Sequence, residues 1–203
     1  VPSADIPSEN SIRFDLRGVE HRVVRLQDQE KLSRLSDLLD VLDFRQAVVF
    51  VSSSERADRL QRALRGPPSL VVHEGFSAEQ QTQRLEQFRN FEKRVLVTTQ
   101  IDLFNEGICI DKVDAVINYD APCDSWQYAC RVGYSRLDSS GDPQHKGPAP
   151  VRAAISFVVG DADEAFLVDA KQKLGLELLE LPCVSCEMAC SSPPQLSQLA
   201  QAL

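Results

Sequence analysis

Val97-Thr-Thr-Gln-Ile-Asp-Leu-Phe-Asn-Glu-Gly-Ile-Cys-Ile-Asp111 runs on into Ala115-Val-Ile-Asn-Tyr-Asp-Ala-Pro122 and then Tyr128-Ala-Cys-Arg-Val-Gly-Tyr-Ser-Arg136. Two short apolar runs frame this stretch, Arg94–Thr99 and Ala115–Tyr119. Continuous β-branched runs of this length mark strands buried on both faces of a parallel sheet. Helical spacing follows at Ser125–Val132, where Asp124 and Gln127 form a capping box.

The same rhythm extends outward in both directions. Upstream, strands are predicted at Val19–Leu26, Ala47–Val51 and Ser69–His73. The first helix has Asp28 as its cap and places Leu32, Leu35, Leu38, Leu39 and Leu42 on one face. Helix Glu55–Leu64 is stopped by Gly66-Pro-Pro68, and helix Ala78–Phe88 opens on a Ser77/Gln80 capping box. Downstream, strand Ala153–Val159 leads to helix Ala162–Leu174, capped by Asp161 with Glu164. Strands separated by helical patterns imply right-handed βαβ units and one parallel sheet with helices on both faces.

Length and composition agree with that α/β reading. A chain of 203 residues with 43% apolar and 26% charged residues suits one globular domain. Residues 1–15 read as a linker from a missing amino-terminal part, which the lack of an initiator Met also suggests. Residues 16–182 form the domain and 183–203 a Ser/Pro/Gln-rich tail; the polar stretch Asp138–Pro150 reads as a long loop. No apolar run reaches membrane-spanning length, and the amino terminus lacks a secretory pattern, so no membrane role is expected. The net charge of -8 moves the expectation from nucleic acid toward protein partners, although a local basic patch could still hold RNA. Six cysteines in so evenly patterned a chain read as thiols in a reducing compartment, with Cys109, Cys123 and Cys130 in or beside core elements.

From about Leu16 to Pro182 the chain resembles the carboxy-terminal RecA-like domain of DEAD-box RNA helicases, nearest to those of splicing and nuclear mRNA export. The resemblance is carried by Leu16-Arg-Gly18, Asp28-Gln-Glu-Lys-Leu32, Leu38-Leu-Asp-Val-Leu42 and Val48-Val-Phe-Val-Ser-Ser53. It continues through His73-Glu-Gly75, Arg94-Val-Leu-Val-Thr-Thr99, Asn118-Tyr-Asp-Ala-Pro122 and Glu180-Leu-Pro182. Their order and spacing match the family's, and the resemblance implies a single RecA-like helicase C-terminal domain, a nuclear location, a separate amino-terminal RecA-like partner domain, and protein partners in an mRNP, splicing or export complex.

The family's chemistry transfers only where residues match. Ser53, Gly75, Thr99 and Gly107 match positions that touch RNA, Ser53 being equally readable as a plain helix cap. Gly75 would let a phosphate approach the backbone. The Gln and Arg with which the family grips RNA from the next helix are here Ala78 and Gln81. Glu74 stands where the family often has Arg, and a carboxylate facing a phosphate path repels it. The family's Arg-Gly-x-Asp becomes Glu106-Gly-Ile-Cys109, so an Arg is charge-reversed and a ribose-binding Asp is a weak acceptor. In the last motif Cys130 replaces a His, Arg131 is kept, Tyr134 replaces an arginine finger, and Arg136 matches the last Arg only with a one-residue deletion. Arg131 and Arg136 are the residual candidates for phosphate contact; no catalytic set is intact.

ATP and magnesium belong to the parent family, but no Gly-x-x-x-x-Gly-Lys-Ser/Thr occurs here, so no cofactor is expected on this domain alone. Asp161-Ala-Asp-Glu-Ala165 only shuffles an Asp-Glu-Ala-Asp box and sits before a helix, where it reads as a capping segment. Cys183, Cys186 and Cys190 lack a fourth ligand nearby in sequence, so no metal is expected. Two functions remain: a degenerate, pseudo-helicase scaffold module with weak RNA binding, or half of an active ATP-dependent RNA helicase.

Overall fold

In the computed structural model, residues 16, 18–99, 113–133 and 153–181 are described. Seven strands form one sheet: β1 (Glu20–Arg25), β2 (Gln46–Phe50), β3 (Ser69–Val72), β4 (Val95–Thr98), β5 (Val113–Asn118), β6 (Ala153–Val158) and β7 (Leu179–Glu180). Their spatial order is β3-β4-β2-β5-β6-β1-β7, and every pairing is parallel. The helices are α1 (Lys31–Val41), α2 (Ser54–Ala63), α3 (Ala78–Arg89), α4 (Ser125–Gly133) and α5 (Gly160–Leu174). The expected α/β class, with helices on both faces of a parallel sheet, is what the chain adopts.

The alternation along each strand explains the two cores. Ala47, Val49 and Val51 point to the face covered by Leu35, Leu38, Ala57 and Leu60 of α1 and α2. Val48 and Phe50 point to the opposite face, against α3, α4 and α5 through Leu85, Phe88, Tyr128 and Phe166. Successive strand side chains alternate faces, so a run without polar interruption must be covered twice. None of the described helices is long and apolar enough to cross a membrane.

Several helix ends differ from the sequence expectation. Asp28 does not cap the first helix: it opens a single 3-10 turn, Asp28–Glu30, ahead of α1, and its carboxylate pairs with Arg56 at 2.6 Å. The turn is closed instead by Gln27, whose N–H donates to Glu30 Oε2 at 2.8 Å. The α3 box stands, with Gln80 N donating to Ser77 Oγ and Ser77 N to Gln80 Oε1. In α4 only half of the box forms: Gln127 N donates to Asp124, but the Gln127 side chain accepts from Cys123 N. At α5 the capping carboxylate is Asp163, accepting from Val159 N at 2.7 Å, while Glu164 reaches across to Arg25. A carboxylate can cap locally or reach a distant guanidinium, and spacing alone does not rank the two.

Strand β7 was not foreseen. Its two residues pair with Arg22 and Val23 of β1, a register too short to leave a periodic signal. Cys130 is buried as expected, but Cys123 is exposed, in the turn before α4.

His21 of β1 lies buried with Nδ1 2.6 Å from the Tyr128 hydroxyl of α4. Burial lowers the imidazole pKa, against an opposing hydrogen bond with the Leu16 backbone. Below the ordinary value of about 6.5 the unfolded chain therefore takes up the proton first, and stability falls as pH drops. Below pH 6.5 the loss should run at up to roughly 1.4 kcal/mol per pH unit until the folded imidazole protonates as well. Asp28, Glu74, Glu164 and Asp169 have lowered values, so their contributions fade only in more acid solution. Urea unfolding at several pH values checks this: His21→Gln should flatten the slope, and an unchanged slope would assign it elsewhere.

Candidate nucleic-acid interface

The carboxyl ends of β2, β3, β4 and β5 gather the described residues for which RNA contact is expected. In open parallel sheets this edge is where loops and helix starts converge on a ligand. Each position there has a partner within the protein.

Ser53 caps α2, its Oγ accepting from Arg56 N at 3.2 Å. Beside it Ser52 gives both its N–H and its hydroxyl to Asp120 Oδ2, at 2.8 and 2.9 Å. Asp120, just beyond β5, is the centre of a charge cluster. Lys31 Nζ donates to its carboxylate at 2.8 Å, and Arg56 Nε lies 3.1 Å from it as an ion pair without hydrogen-bond geometry. Asp28 receives the same two cations, Arg56 at 2.6 Å and Lys31 at 3.3 Å. Both cations also lie over the Tyr119 ring, 5.4 and 5.3 Å from its centre. Lys31 is almost fully buried, so its charge is turned into the fold.

Arg131 is buried as well. Nη1 donates to Asn118 Oδ1 at 3.0 Å and to the Asp120 carbonyl at 2.9 Å, and the guanidinium lies over Phe50. Asn118 passes the chain on to Ser156 at 3.0 Å, tying α4 to β5 and β6. Burial lowers the Arg131 pKa to about 10, which leaves it charged at neutral pH. Cys130, its neighbour, faces the core.

At β3 the chain turns through His73, Glu74, Gly75 and Phe76. Gly75 N donates to His73 Nδ1 at 3.0 Å, and a Cβ at this glycine would stand 2.8 Å from the His73 ring. A glycine is therefore required for a reason internal to the loop. Gln81 Nε2 donates to the carbonyls of Phe76 and His73, at 2.9 and 3.3 Å, and holds the turn onto α3. Arg84 lies over the Phe76 ring at 4.2 Å. Thr99, just past β4, donates its hydroxyl to Glu74 at 2.6 Å, which holds that carboxyl below its usual range.

Glu106, Gly107, Cys109, Tyr134 and Arg136 lie outside the described residues, as do Cys183, Cys186 and Cys190. Sequence reasoning missed the cluster around Asp120. The Asp28–Lys31 spacing could have hinted at it, but Lys31 and Asp120 are 89 residues apart in the chain.

The helicase conserved C-terminal domain family matches residues 30–135. An ATP-dependent RNA helicase sub2 of Aspergillus terreus is 36% identical over 177 residues, 86% of this chain and 37% of that protein. The chain thus spans less than two fifths of the length of such relatives. Among solved structures, the C-terminal domain of the DEAD-box protein Dbp5 is similar with a TM-score of 0.73 and 18% identity, covering 93% of this chain and 100% of that one. A Saccharomyces cerevisiae Dbp5 C-terminal domain bound to Gle1 and IP6 is similar with a TM-score of 0.66 and 24% identity, covering 81% of this chain and 89% of that one.

Proposed function

Because the chain belongs to the helicase conserved C-terminal domain family, of the DEAD-box RNA helicase type, we propose that it is a second RecA-like domain turned from RNA remodelling to protein binding. Its setting on this reading is a nuclear splicing or mRNA-export complex. The observation that carries the reading is the self-neutralised carboxyl edge. Lys31 and Arg56 are paired with Asp28 and Asp120, and Arg131 is buried on Asn118 and the Asp120 carbonyl. Phosphate binding draws its affinity from cations that release counterions, and cations already paired within the fold release few. The substitutions at Gln81, Glu106, Cys109 and Tyr134 fall on family RNA and ATP contacts, while the core pattern is intact. A Dbp5 C-terminal domain has been solved with the protein Gle1, so a domain of this fold can serve as a docking surface for protein.

The chain should accordingly bind single-stranded RNA weakly and with a shallow dependence on salt. Titrating labelled RNA at two salt concentrations checks this. Submicromolar affinity at physiological salt with a steep slope would favour the alternative, half of an active ATP-dependent helicase, on which Arg131 and Thr99 keep their family identities for use.

A further inference from the structure

Strands β3 and β4 run side by side with Val72 opposite Thr98, so the residues that follow each strand emerge together. There the Thr99 hydroxyl donates to the exposed Glu74 carboxylate at 2.6 Å. A hydroxyl has one proton to give; once that is donated, only lone pairs are left for an incoming group. The backbone donors of the same turn are also in use. Gly75 N donates to His73 Nδ1, Phe76 N to the His73 carbonyl, and Ser77 N to Gln80 Oε1. The backbone amide of Glu74 itself also favours the ionised form of its carboxyl. A phosphate oxygen arriving here therefore meets acceptors and a full negative charge.

We propose that Glu74 is the residue that determines ligand specificity at this edge, excluding nucleic-acid phosphate by holding the Thr99 hydroxyl. The inference rests on the reading of the domain as one with little grip on RNA, and it names the cause at a single pair. Charge and hydrogen bond act together: removing the carboxylate both ends the repulsion and frees a donor.

The test is a double-mutant cycle on the 203-residue chain, read by fluorescence anisotropy of a labelled single-stranded oligouridylate at low salt. Glu74→Ala should tighten binding roughly tenfold, and Glu74→Gln, which loses the charge but keeps a carbonyl acceptor, roughly threefold. Thr99→Val should change affinity less than about twofold in the native chain, yet remove roughly threefold of the gain in the Glu74→Ala background. Glu74 is exposed, so melting temperatures should stay within about 2 °C and binding can be compared directly. Weak native binding that Glu74→Ala leaves weak, or a Thr99→Val effect equal in both backgrounds, overturns this proposal while leaving the functional reading intact. Tight native binding with the predicted coupling does the reverse.

Discussion

Replacing Asp120 by Ala is expected to cost the domain about 3–5 kcal/mol, the range for breaking a buried ion pair from one side. Asp120 accepts from Lys31 and from both donors of Ser52 and forms an ion pair with Arg56. Its removal leaves the buried Lys31 charge with the exposed Asp28, at 3.3 Å, as its remaining ion-pair partner among the described residues. For a chain of this size that loss lowers the melting temperature by roughly 10 °C or more. Asp120→Asn, which keeps one acceptor but no charge, should cost less. Pairing Lys31→Met with Asp120→Leu should recover much of the loss, because the desolvation penalty of both charges disappears together. Urea and thermal unfolding of the single and double variants decide the matter. A loss below about 1 kcal/mol for Asp120→Ala would show the cluster to be a surface network of little energetic weight. The cluster would then hold its cations too loosely to keep them from phosphate.

The second large effect concerns ATP turnover, and it follows from the proposed loss of helicase chemistry. Joined to an ATP-binding RecA-like first domain, the chain should show RNA-stimulated ATPase near background. An arginine finger is worth roughly 10³–10⁵ in rate, and Tyr134 has neither its charge nor its fork geometry. Restoring Tyr134→Arg alone should help little while Cys109 stands at the ribose contact and Glu106 carries the reversed charge. The combined variant Tyr134→Arg, Cys109→Asp and Glu106→Arg should gain more than the sum of its parts, since groups that act as one site are strongly non-additive. Steady-state hydrolysis with and without RNA is the measurement. Strong RNA-dependent turnover in the native chain would sink the scaffold reading and return Arg131 or Arg136 to the role of residual phosphate contact. The buried position of Arg131 makes it a test of that alternative in its own right: to reach a nucleotide it would have to leave Asn118 and the Asp120 carbonyl.

The sequence by itself determined the architecture, because its signals are local and repeated. Among the described residues, six of the seven strands, the five α-helices and the Ser77–Gln80 box could be read from β-branched runs, 3.6-residue leucine spacing and capping residues, each needing only a few neighbours in the chain. The motif order likewise identified the family, and the substitutions at Gln81 and Glu74 were plain as residue types. Only the tertiary structure decided what the charged and polar groups do. Asp28 became a partner of Arg56 instead of a cap, Asp163 displaced Asp161 at α5, and Glu164 crossed to Arg25. Asp120 joined Lys31 across 89 residues of sequence, and Glu74 met Thr99 across 25. Apolar burial follows from periodicity because any suitable surface will cover it. An ion pair or hydrogen bond instead needs its two atoms within about 3 Å, a distance that chain separation does not encode and that the register of the sheet and the packing of helices on it supply together.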